Sequence, residues 1–119
     1  METVKLDLEI RKGTTKRLTF QWLNTKTQVP YVLTGCVIKL QVRDYANAPS
    51  VILELSTTNG YITITDGLLG KWSVHFPRAL TEALTQNAGV YDIDILYPSN
   101  DLKTPVEGVI SFKQGVTIL

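Results

Sequence analysis

Cys36-Val37-Ile38-Lys39-Leu40-Gln41-Val42-Arg43 is the stretch that decides the fold, because Cys36, Ile38, Leu40 and Val42 alternate with Lys39, Gln41 and Arg43. A period of two sends one set of side chains to a buried face and the other to water, as in a strand of a sheet covered on one side. The same period recurs toward the N-terminus. Val4, Leu6, Leu8 and Ile10 alternate with Lys5, Asp7 and Glu9, and Leu18, Phe20 and Trp22 alternate with Thr19 and Gln21. Gly13 between these two runs marks a turn or bulge. Residues 24–30 are polar and turn-prone, and Val32-Leu33-Thr34-Gly35 leads into the deciding stretch.

Toward the C-terminus, residues 44–50 read as a loop with Asn47 and Pro49, and Val51, Leu53 and Leu55 resume the period. Asn59-Gly60 is a two-residue turn signal, since both residue types tolerate positive φ. Two more strands follow, around Ile62 and Ile64 and around Trp72, Val74 and Phe76, with Asp66-Gly67 and Gly70 turning between them. After Pro77, Leu80, Ala83 and Leu84 stand at helical spacing and predict a short helix over 78–86 capping one end of the core. Tyr91, Ile93 and Ile95 alternate with Asp92 and Asp94, residues 98–101 form a turn, and 106–112 run back as a terminal hairpin with Gly108, Ile110 and Phe112 on one face. Seven to eight short antiparallel strands and one short helix predict an all-β sandwich with Greek-key connections. The expected core is Leu6, Leu8, Leu18, Phe20, Trp22, Ile38, Leu40, Val42, Leu53, Leu55, Ile62, Ile64, Trp72, Val74, Phe76, Tyr91, Ile93, Ile95, Ile110 and Phe112.

At 119 residues the chain has room for one such core, so residues 1–119 read as a single β-sandwich domain. Twelve basic residues against eleven acidic ones leave a formal charge of +1, with the signs interspersed. That distribution argues against nucleic acid and membrane surfaces as partners. The densest basic run, Arg11-Lys12 with Lys16-Arg17, is short and flanked by Glu9, and reads as a solvated turn. One cysteine cannot form an internal bridge, no secretory leader is written at Met1-Glu2-Thr3, and no apolar run approaches the roughly 18 residues of a membrane helix. These features predict synthesis in a reducing cytosol.

The residue types that carry chemistry do not assemble into a motif. His75 alternates with Val74 and Phe76 and belongs on the outer face of its strand, with no nucleophile elbow nearby. Cys36 shares the apolar phase and reads as a small buried hydrophobe. Asp92 and Asp94 share a strand face, where pairing across to Lys or Arg is expected in place of an acid-base dyad or a calcium site. One Cys and one His cannot make a tetrahedral metal site, and no glycine-rich loop enters a helix to cradle phosphate. The expectation is therefore no catalytic residue, no metal and no cofactor. Tyr31 and Tyr45 lie near loops, where they can anchor an interface. Val116, Ile118 and Leu119 follow Lys113-Gln114-Gly115 as an apolar tail, which either adds as an edge strand to a neighbouring subunit or finishes the chain's own last strand past a bulge at Gly115.

Gly13-Thr14-Thr15 before Leu18, Phe20 and Trp22, Val32-Leu33-Thr34-Gly35 before a strand ending Val42-Arg43, Leu53-Glu54-Leu55-Ser56 before Asn59-Gly60-Tyr61-Ile62, Gly89-Val90-Tyr91-Asp92-Ile93, and Val106-Glu107-Gly108-Val109-Ile110 stand in this order along most of the chain. Together they resemble a family of small immunoglobulin-like β-sandwich proteins from the structural modules of tailed bacteriophages and prophages. The resemblance implies a virion component, in tail, baseplate or capsid decoration, made in the bacterial host cytoplasm. It implies other virion structural proteins as partners and a homo-oligomer that follows particle symmetry, as trimer or hexamer. Lys16-Arg17 departs from it, standing where such sequences carry acidic or apolar residues. A carbohydrate-binding β-sandwich module is the alternative expectation.

Overall fold

The structure, a computed structural model, describes residues 3–117. Its elements are β1 (Val4–Lys5), β2 (Leu8–Arg11), β3 (Lys16–Gln21), β4 (Val37–Arg43), β5 (Leu53–Ser56), β6 (Ile62–Asp66), β7 (Lys71–Phe76), α1 (Arg78–Glu82), β8 (Ala88–Leu96) and β9 (Leu102–Lys113). They form two sheets. Six strands make the larger one, in the order β1-β9-β8-β4-β5 with β2 also paired to β9, and three make the smaller, β3-β7-β6. The alternating strands bury their apolar phases between the sheets: Ile38, Leu40, Val42, Ile93 and Ile95 from the larger, Trp72, Val74 and Phe76 from the smaller. Phe20 stacks on Trp72 with ring centroids 5.2 Å apart. Among the described residues, the indole N–H of Trp72 is the one buried side-chain polar group without a partner.

The expected first strand is present but broken, and its direction corrects the antiparallel expectation. β1 and β2 both run parallel to β9, with Val4 opposite Val106 and Leu8 opposite Ile110. Alternation specifies a buried face and says nothing about which strand lies alongside. The break falls at Leu6-Asp7, where two side chains and one glycine set the local pairing. The buried Tyr91 hydroxyl donates a hydrogen bond to the Leu6 carbonyl, and the Val109 N–H donates to the Asp7 carboxylate at 3.0 Å. Opposite Tyr91 stands Gly108, where a Cβ would collide with the Leu6 carbonyl oxygen. Burial, and after it the charge of Asp7, raises the Tyr91 pKa to about 12, so the phenol remains a donor across the neutral range.

Most of the expected core is buried. Leu6 is the clear exception, 39% exposed because the chain kinks there, while Leu8, Leu18, Phe20 and Ile64 are half-buried. Ile10, Leu33 and Val106 join the core unpredicted. The helix is shorter than 78–86, and its buried member is Thr81, not Ala83, which is exposed. Thr81 accepts from the Gly13 N–H at 3.1 Å and donates to the Thr14 carbonyl at 2.7 Å, tying α1 to the β2–β3 turn. The Asn59-Gly60 turn also differs from a simple hairpin. It carries the chain from β5 in one sheet to β6 in the other, and only Gly60 of the pair has positive φ.

Candidate functional site

The sandwich separates the groups that carry chemistry. Val74 and Phe76 point into the core, so His75 between them faces outward from the smaller sheet, half-buried opposite Arg17 of β3. Tyr91, Ile93 and Ile95 point inward, so Asp92 and Asp94 face outward from the larger sheet. The histidine and the carboxylates therefore lie on opposite outer faces of the sandwich. Cys36 is buried just before β4, and burial pushes its thiol pKa up, away from the thiolate a nucleophile requires. Among the described residues there is no group of three His, Cys, Asp or Glu side chains placed to hold a metal ion. Likewise, no helix among them is long and apolar enough to cross a membrane.

The outer face of the larger sheet carries an open groove of about 730 Å³. Its floor is built by alternation: on β8, Asp92 stands between Gln41 of β4 and Glu107 of β9, Val90 stands between Arg43 and Val109, and Asp94 extends the row. Lys5 and Asp7 close one wall, and Ala46, Asn47 and Ala48 of the β4–β5 loop close the other. Asn47 takes φ 67°, and the Arg43 guanidinium donates to the Ala48 carbonyl, which holds that wall in place. Here the expectation of carboxylates paired across to Lys or Arg holds in register for Asp94 and is corrected for Asp92. Asp92 lies opposite Gln41 and Glu107. Lys39, opposite Asp94, instead approaches Glu54 at 3.9 Å, and Asp94 accepts from the Thr104 hydroxyl at 2.7 Å. Burial, with Asp94 and Glu107 adding negative charge, holds the Asp92 carboxyl above its ordinary pKa, and Arg43 acts in the opposite direction. The sequence shows this row only in part: Asp92 and Asp94 are legible on one strand, whereas Glu107 and Asp7 arrive through long-range pairing.

The expected interface residues are dispersed. Tyr31 is half-buried and stacked on Trp22, with centroids 4.2 Å apart, so its ring is committed to the fold. Tyr45 is 60% exposed in the β4–β5 loop beside the groove. Val116 is 93% exposed beyond the end of β9 at Lys113; Ile118 and Leu119 lie outside the described residues. The β3–β4 connection meets the β6–β7 turn through a backbone bond that alternation does not signal. The Leu33 N–H donates to the Gly67 carbonyl at 2.8 Å, and the neighbouring Val32, Leu68 and Leu69 are exposed.

No protein-family model and no curated protein matches the sequence. Solved structures match by shape. The chain is similar to a chicken TCR over 98% of its length, with a TM-score of 0.56 and 11% identity, and spans 58% of that chain. It is also similar to a VGSC beta subunit structure from work on multimeric cell-adhesive interactions (TM-score 0.48, 10% identity, 97% of this chain and 98% of that one). A third match is to extracellular domains 3–5 of Drosophila OTK (TM-score 0.39, 12% identity, 89% and 32%). Likeness at such identities concerns fold alone. The chain has an all-β, immunoglobulin-like sandwich fold.

Proposed function

We propose that this chain is a non-enzymatic interaction module that serves as a structural component of a tailed-bacteriophage virion, in tail, baseplate or capsid decoration. One observation carries the first half: His75, Cys36 and the Asp92-Asp94 pair occupy two opposite outer faces and the interior, so base, nucleophile and acid do not converge. What the surface offers instead is area of mixed charge, a groove lined by Lys5, Arg43, Asp92 and Glu107 next to an exposed Tyr45. Such a surface suits a protein partner better than a polyanion or a lipid headgroup layer. The virion assignment is supported by the ordered resemblance from Gly13-Thr14-Thr15 to Val106-Glu107-Gly108-Val109-Ile110. Its partners are then other virion proteins.

The test is to purify particles from a producing host by density gradient and quantify this chain in them by mass spectrometry, with gold-labelled antibody to place it on the head or the tail. The chain should band with the particles in a fixed ratio to their major structural protein. Recovery only outside the particles overturns the virion role. Selective binding on a glycan array, or turnover lost in His75→Ala or Asp92→Asn, overturns the interaction-module reading in favour of a carbohydrate-binding module or an enzyme respectively.

A further inference from the structure

The two sheets have four edges, and three of them are interrupted. At β5, the outward-pointing Ser56 N–H donates to Asn59 Oδ1 at 2.8 Å and Asn59 Nδ2 donates to the Glu54 carbonyl at 3.0 Å, so one side-chain amide occupies the edge. The β1–β2 edge is broken at Leu6-Asp7, and β6 loses register between Ile64 and Asp66. The fourth edge, β3, runs regularly through its full six residues and, among the described residues, is paired to β7 alone.

The direction of its backbone groups follows from the ladder. The His75 N–H is taken by the Tyr61 carbonyl at 2.8 Å, so the odd residues of β7 turn toward β6 and the even ones toward β3. The Trp22 N–H, which reaches the Gly70 carbonyl at 2.8 Å, keeps the same parity. Arg17, Thr19 and Gln21 therefore direct their N–H and C=O groups to the open edge. On the inner face of the same strand Leu18 and Phe20 are only half-buried, with no strand beyond them among the described residues. An unpaired regular edge above partly covered apolar side chains is a site for another strand.

We propose that this edge is a self-association site, in which β3 of a second copy pairs antiparallel with β3 about a two-fold axis at Thr19. The occupant is read from charge and register. With Thr19 opposite its own copy, Arg17 falls opposite Gln21 and Leu18 opposite Phe20, so cations face neutral amides and the half-buried apolar pair is covered. A register centred on Arg17 would set like charges against one another, which is unfavourable in a cross-strand pair. Exchange between Arg17, Thr19 and Gln21 of both copies makes roughly six new hydrogen bonds. The two three-stranded sheets become one continuous sheet across an isologous interface. This inference is independent of the virion assignment.

The experiment measures the mass of the purified chain by sedimentation equilibrium over a concentration series. The wild type should form a concentration-dependent dimer. Thr19→Lys sets two cations against each other on the axis and should weaken association roughly tenfold or more, with the melting temperature of the dilute protein unchanged because Thr19 is exposed. Thr19→Cys gives a second readout: the Cα atoms of a directly opposed hydrogen-bonded pair lie about 5.5 Å apart, within disulfide range. Mild oxidation should then yield a covalent dimer that Ser99→Cys, at an exposed position in the β8–β9 turn, does not. A wild type that stays monomeric throughout, a dimer indifferent to Thr19→Lys, or a dimer lost on deleting residues 115–119 while Thr19→Cys fails to cross-link overturns the proposal, the last in favour of the apolar tail as the added strand.

Discussion

The β5 and β3 edges are built from equally regular alternation, yet one is closed and the other open. At β5 the chain turns back through Asn59, whose amide occupies the outward N–H of Ser56 and C=O of Glu54. Among the described residues no strand lies beside β3 on that side, and the N-terminal strands that precede it pair with β9 in the other sheet. The inward residues register the difference: Leu53 and Leu55 of β5 are buried, while Leu18 and Phe20 of β3 are half-buried. Edge closure in a small sandwich thus depends on where distant segments are allocated and on a single side chain, not on the strand's own pattern.

That comparison can be broken by experiment, and the largest effect tests its background. Trp72→Ala, removing the fully packed indole under β3, should cost on the order of 3–5 kcal/mol in denaturant unfolding. Leu18→Ala, at the open edge, should cost only about 1 kcal/mol, roughly half of what full leucine burial contributes. A Leu18→Ala penalty as large as that of Trp72→Ala would mean that β3 is covered in the folded chain.

The allocation of the first strand is tested next. Tyr91→Phe leaves the Leu6 carbonyl without its donor, which should destabilise by about 1–3 kcal/mol and speed hydrogen exchange of the Leu6 amide, bonded at 2.9 Å to the Glu107 carbonyl. Unchanged exchange would show that β1 is held by the ladder alone.

Asn59→Ala removes the closure of β5 and should cost about 1 kcal/mol, turning the closed edge into a second open one. Greater self-association of this variant at equal concentration, by sedimentation, is the expected sign; none would mean that the β4–β5 ladder disfavours strand addition by itself.

The smallest effect concerns the groove. Asp92 has a folded pKa above its unfolded value, so the native state binds the extra proton and stability falls as pH rises through that window. Asp92→Asn should stabilise at neutral pH, by less than about 1 kcal/mol given its partial exposure. The gain should vanish near pH 4, about the ordinary aspartate pKa, and below it. Destabilisation at neutral pH would show that Arg43 outweighs Asp94 and Glu107.

Much of this was legible from the residues. The eight apolar runs, the outward phase of His75, Asp92 and Asp94, and the buried phase of Cys36 follow from a period of two, which is a local property. The groove was half legible, since β8 displays its own carboxylates but Glu107 and Asp7 come from segments that meet it only through pairing. Tyr31 could not be placed from sequence, because a tyrosine near a loop reads alike whether it faces solvent or stacks on Trp22.

Because alternation acts over nearest neighbours, the residues alone specify which segments form strands and which side of each strand is apolar. That the first strand lies parallel to β9, that the Asn59-Gly60 turn crosses between sheets, and that β3 keeps an open edge among the described residues emerges with the three-dimensional fold. The first of these rests on contacts between residues some hundred positions apart, the Tyr91 hydroxyl on Leu6 and the Val109 amide on Asp7, and alternation carries no information about partners at that range.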